Sequence, residues 1–120
     1  MKIAVTSQGP DLSSPVDPRF GRSKCFIVCD IATGELSIAD NHQNLNAPQG
    51  TGIQAGARMV DLGVQAVITG HVGPKAFATL RAGGVTVYEG AQGTVAEAIA
   101  LFNAGQLKRR ADADTEGLRA

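Results

Sequence analysis

Apolar periodicity changes character once along this chain, near Thr51, and that change limits the folds open to it. Before Thr51 the apolar residues come in short runs: Lys2-Ile3-Ala4-Val5-Thr6, then Lys24-Cys25-Phe26-Ile27-Val28-Cys29-Asp30, then the alternating Glu35-Leu36-Ser37-Ile38-Ala39-Asp40. Such runs read as strands, and Ala32-Thr33-Gly34 is short enough to join the last two as a hairpin. From Thr51 onward helical spacing alternates with short apolar runs. Ile53, Ala57, Met59 and Val60 predict the apolar face of a first helix that ends near Gly63, and Gln65-Ala66-Val67-Ile68-Thr69 reads as a buried strand. Ala76, Phe77 and Leu80 predict a second helix closed by Gly83-Gly84, followed by the strand Val85-Thr86-Val87-Tyr88. Thr94 is placed to cap a third helix carrying Val95, Ala98, Ile99 and Phe102.

Three consecutive strands form a meander, whereas strands separated by helices pair in parallel through right-handed crossovers. The most economical layout is an α/β domain with a mixed five-stranded sheet, order 3-2-1-4-5, and three helices, which is the ribonuclease H-like arrangement. Residues 1–107 are expected to form one domain and residues 108–120 a polar, flexible tail, since periodic apolar residues stop at Leu107.

In that layout the loops 7–23 and 41–51 and the turns 70–73 and 89–93 emerge at the edge that collects the carboxyl ends of the parallel strands. Ligands of open α/β sheets bind at such an edge, at the switch point between the first and fourth strands. The first two loops exceed the usual connection of about 4 to 6 residues, and they are rich in polar groups. They bring Arg19, Arg22, His42 and Gln54 toward one place, with His71 from the following turn. The starts of three helices aim backbone N–H groups in the same direction, so an anionic ligand suits the edge.

Thr69-Gly70-His71-Val72-Gly73-Pro74 is the sharpest local feature, a buried strand ending in a histidine flanked by Gly70 and Gly73. His71, and with it His42, is a candidate metal ligand or anion donor, although two histidines alone do not make a closed zinc site. Gly50-Thr51-Gly52-Ile53-Gln54-Ala55 matches the dinucleotide fingerprint only formally. No apolar strand precedes it and no acid follows about 20 residues later. Gly52 instead lets the backbone pack closely at the start of the first helix.

Enzyme chemistry finds little support. The first strand offers only Ile3, Ala4, Val5, Thr6 and Ser7, without the carboxylates of a two-metal nuclease, and neither a serine elbow nor a phosphate loop with its lysine occurs. With 11 acids against 11 bases the formal net charge is zero, which gives no electrostatic footprint for nucleic acid or an anionic membrane. No signal-type or membrane-spanning segment is read, so a cytoplasmic protein is expected, a monomer or weak homodimer. Cys25 and Cys29 share one strand with Cα atoms roughly 13 Å apart, too far for a disulfide or joint chelation, and are expected to be reduced and structural.

The ordered set Val16-Asp17-Pro18-Arg19-Phe20-Gly21-Arg22, Gly52-Ile53-Gln54-Ala55, Val67 through Phe77, Gly84 through Tyr88 and Gly93 through Ile99 resembles the dinitrogenase iron-molybdenum cofactor biosynthesis family over about residues 1–107. That resemblance implies the ribonuclease H-like fold and a non-enzymatic, nitrogen fixation-related role. Such a protein binds or carries an anionic metal-sulfur cluster of the iron-molybdenum, iron-sulfur or molybdenum-containing kind, with metal-cluster assembly or acceptor proteins as partners. Cofactor-carrying members have His-Phe-Gly in the first loop, where this chain has Arg19-Phe20-Gly21. A guanidinium has no lone pair for a metal but pairs with an anion. The cofactor-binding set expected here is Arg19, Arg22, Gly52, Gln54, Gly70, His71 and Gly73. A regulatory or protein-interaction module without ligand, and a small enzyme or binder for a phosphorylated metabolite, stand as alternatives.

Overall fold

The computed structural model describes residues 1–41 and 51–110. His42 therefore lies outside the described residues, as does the tail from residue 111. The strands are β1 (Lys2–Ser7), β2 (Cys25–Asp30), β3 (Leu36–Asp40), β4 (Val64–Ile68) and β5 (Thr86–Tyr88), and the helices α1 (Thr51–Asp61), α2 (Pro74–Ala82) and α3 (Val95–Asn103). They assemble as one sheet of order β3-β2-β1-β4-β5, as the periodicity predicts. β1 runs antiparallel to β2 and parallel to β4, and β4 is parallel to β5.

Alternation along β1 and β2 divides the core into two layers. Ala4, Phe26, Val28 and Val67 face α1 and α2, where Met59, Ala76 and Leu80 meet them. Ile3, Val5, Ile27, Cys29, Ala66 and Ile68 face the other way, where Val95 and Ala98 of α3 cover them. A central strand with both faces covered must be apolar throughout, and Ile3 to Val5 are fully buried.

The apolar face predicted for α1 requires correction. Thr51, Ala55, Gly56 and Met59 are the buried residues, while Ile53 and Val60 are exposed. The cause is the close approach of α1 to α2. A Cβ on Gly52 would lie 2.9 Å from Ala76 Cβ, and one on Gly56 would lie 3.1 Å from Thr79 Cγ2, so small residues occupy the face between the helices. A second correction concerns residues 108–110, expected to begin the tail. Arg109 instead pairs antiparallel with Tyr88, and the Arg110 N–H donates to the Val87 carbonyl at 2.7 Å, extending the sheet past β5.

Candidate functional site

The first loop does not wander over the carboxyl edge; it is stitched along it. Val16 bridges Ser7, Pro15 bridges Thr94, the Asp17 N–H donates to Thr6 O at 2.9 Å, and Arg19 bridges His71 in parallel. Beneath it a buried hydroxyl pair ties β1 to the end of β4: Thr6 Oγ1 donates to the Asp17 carbonyl at 2.6 Å and lies 2.8 Å from Thr69 Oγ1. The return of the loop is pinned by Asn41, whose buried side-chain amide donates to Ser23 O at 2.7 Å. Because these polar groups are buried, their satisfaction fixes the loop path.

Two glycines make the stitching possible. A Cβ on Gly70 would stand 2.6 Å from Pro18 Cα, and one on Gly21 would stand 2.8 Å from both Gly52 N and Thr51 Oγ1. The backbone of the first loop thus lies directly on the start of α1 and on the His71 turn. Phe20 is driven inward, 2% exposed, with its ring 5.6 Å from that of Phe26. Its neighbours Arg19 and Arg22 are left at the surface of the edge.

Between the loop, α1, the His71 turn and α2 lies a cavity of about 430 Å³. Its rim carries Arg19, Arg22, His71 and Lys75, and its walls are Phe20, Ile53, Pro74 and Ala76, with Gly21, Thr51, Gly52 and Gly73 between. None of these lining residues is acidic. Asp17 is 2% exposed, turned behind the loop, where its carboxylate accepts the Arg19 N–H at 3.0 Å and lies 3.7 Å from Arg19 Nε. Gly73 caps α2 without any side-chain hydrogen bond, and Pro74 follows at its first turn. The positive end of the α2 dipole is therefore directed at the cavity.

Of the expected set, Arg19, Arg22, Gly52, His71 and Gly73 line the cavity. Gln54 is exposed and does not, and Gly70 serves one step behind it, against Pro18. The walls Phe20, Ile53, Pro74 and Ala76 and the rim residue Lys75 were not singled out as site residues. Ile53 was assigned to the core, and its exposure on the cavity side of α1 became visible only once the α1–α2 packing was known.

Among the described residues no three His, Cys, Asp or Glu side chains gather as a metal cage. Cys25 and Cys29 are free and buried. Desolvation pushes both thiols above the usual cysteine range, and Cys25 Sγ is engaged 3.3 Å from the Gly9 carbonyl, so neither supplies a ready thiolate. Among the described residues the edge offers positive charge, N–H donors and the accessible imidazole of His71.

A ribonuclease H-like α/β domain with a basic cavity at its switch point is the class that fold and site define. The chain belongs to the dinitrogenase iron-molybdenum cofactor family, whose model matches residues 1–105. It is similar in structure to the apo form of the orange protein from Desulfovibrio gigas, at 40% identity over 92% of each chain and a TM-score of 0.89. A Thermotoga protein provisionally assigned as NifB shares 40% identity, covering 89% of this chain and 90% of its own, with a TM-score of 0.78. An uncharacterized protein of Methanocaldococcus jannaschii is 32% identical over 111 residues, 91% of both chains. No helix among the described residues is long and apolar enough to cross a membrane.

Proposed function

We propose that this protein binds and carries an anionic metal-sulfur cluster at the β1/β4 edge, without catalysing a reaction, and hands it to cluster-assembly or acceptor proteins of the cytoplasm. One observation carries the reading: the cavity combines a cationic rim, Arg19, Arg22, Lys75 and His71, with walls of Phe20, Ile53, Pro74 and Ala76. A hard, strongly hydrated oxoanion loses much on meeting apolar walls unless hydrogen bonds replace its water on every side. A sulfide-terminated cluster spreads its charge over large, weakly hydrated atoms, so such walls cost it less while the rim still neutralises it. The cavity also falls within the roughly 300 to 1,000 Å³ typical of ligand sites. Arg19 acts as a charge partner, the amino end of α2 as donor, and His71 as the side chain able to reach a metal through a ring nitrogen. Membership of the iron-molybdenum cofactor family, and likeness to an orange protein that has an apo form, support carriage of a cofactor.

Titration with tetrathiomolybdate, followed by visible absorption and amide chemical shifts, tests the reading against molybdate and phosphate. The thioanion is expected to bind more tightly than either oxoanion and to shift amides of the first loop, the His71 turn and the start of α2. Arg19→Ala and His71→Ala should each weaken it about tenfold, the equivalent of roughly 1.4 kcal/mol, with the fold intact. Equal or tighter phosphate binding would favour a phosphorylated metabolite. Shifts confined to another surface would favour an interaction module.

A further inference from the structure

Behind the cavity, on the side away from the first loop, a carboxylate serves three neighbours at once. Glu89 follows β5 directly and is a quarter exposed. Its Oε2 accepts the Val72 N–H at 2.7 Å, lies 3.5 Å from His71 Nδ1 and lies 3.4 Å from Arg110 Nη1. Arg110 in turn donates to the Val72 carbonyl at 2.6 Å and sets its guanidinium carbon over the Phe77 ring, 4.1 Å from its centroid. Val72 is fully buried, and both of its backbone polar groups are claimed by this Glu89–Arg110 pair. From the opposite side the Phe20 N–H donates to the His71 carbonyl at 3.1 Å. The backbone of the His71 turn is thus gripped on both flanks, yet the imidazole itself is 77% exposed. Its Nδ1 stands beside the Glu89 carboxylate.

We infer that Glu89 is a positioning residue of the site, holding the proton of His71 on Nδ1 so that Nε2 presents its lone pair to the cavity, with Arg110 keeping Glu89 in place. A neutral imidazole carries its proton on one nitrogen only, and a carboxylate beside Nδ1 favours the proton there. Arg110 neutralises part of the Glu89 charge, but its contacts with Val72 O and Phe77 fix where that charge stands. Arg110 is in this way part of the site, although it does not line the cavity.

The inference rests on His71 facing the cargo, so its test begins without any cargo. Nitrogen-15 NMR of the His71 ring at pH 9, far above the ordinary imidazole range, reads the tautomer directly in the free protein. The wild type is expected to hold the proton mainly on Nδ1. Glu89→Met, which removes the acceptor beside Nδ1, should move the majority to Nε2, whereas Glu89→Gln, whose amide oxygen can still accept the Val72 N–H from the same place, should keep it on Nδ1. Arg110→Met, which keeps a side chain over Phe77, should move it part of the way. In the same Glu89→Met protein, tetrathiomolybdate affinity should fall about tenfold. A wild-type proton mainly on Nε2, an unchanged tautomer ratio in Glu89→Met, or wild-type tetrathiomolybdate affinity in that variant would each overturn the inference. A Glu89-dependent tautomer in a wild-type protein that ignores tetrathiomolybdate would uphold Glu89's role and instead overturn cluster carriage.

Discussion

Gly70 shows how much of the site depends on atoms that are missing. Any β-carbon there would press on the Pro18 backbone at 2.6 Å, and neither partner is a flexible side-chain end that can swing away. Gly70→Ala is therefore expected to cost about 1 to 3 kcal/mol in denaturant unfolding, as overpacking does. It should also shift the amides of Arg19 and His71, which Gly70 lets approach. The sequence made the position of Arg19, Arg22 and His71 at the cavity legible, because each sits where a parallel strand ends or a long polar loop returns. It did not exclude Gln54, since loop position tells which end of the sheet a residue reaches and not which way its side chain turns. Glu89 could have been found by the same rule that singled out His71, as an acid just past the carboxyl end of β5. Nothing in the spacing marked Arg110.

At the scale of elements, α3 was the most legible and α1 the least. α3 announces itself with Thr94, whose hydroxyl accepts the Glu97 N–H at 3.1 Å while Glu97 Oε1 accepts the Thr94 N–H at 2.9 Å, a reciprocal capping box. The Thr94 N–H, and after it the Thr94 hydroxyl at 3.1 Å from Glu97 Oε1, hold the Glu97 carboxyl below its ordinary 4.5. A folded value below the unfolded one means that the stabilisation is fully present above about pH 4.5 and is lost as the pH falls through the folded value. Thr94→Ala is expected to lower stability by about 1 kcal/mol near neutral pH. Acid denaturation should show the difference from wild type shrinking at low pH. α1 misleads because its most apolar residues, Ile53 and Val60, are not those it buries. Apolar spacing predicts a face only where the partner is distant enough to admit large side chains, and here α2 comes too close.

For the molecule as a whole, the order of elements was enough to lay out the sheet, since a meander followed by two crossovers leaves few unknotted alternatives. The one misplacement was the domain's far boundary. Leu107 packs partly buried against the α3 layer, and the pairing of Arg109 and Arg110 beyond it uses backbone groups that carry no periodic apolar signal. Removal of the chain from Lys108 onward is expected to cost about 1 to 2 kcal/mol, from lost hydrogen bonds and the Arg110 stacking on Phe77. A melting temperature several degrees below that of the full chain would register it.

The Thr6–Thr69 hydroxyl contact joins residues 63 positions apart, and the Arg110–Val72 bond joins residues 38 apart in the same region. During synthesis the arginines of the first loop leave the ribosome long before His71, and His71 long before the pair that grips its turn. No half-made chain can assemble this cavity. If it receives cargo, it does so only as a finished molecule, and a nascent fragment bearing Arg19 and Arg22 has nothing with which to hold a cluster prematurely.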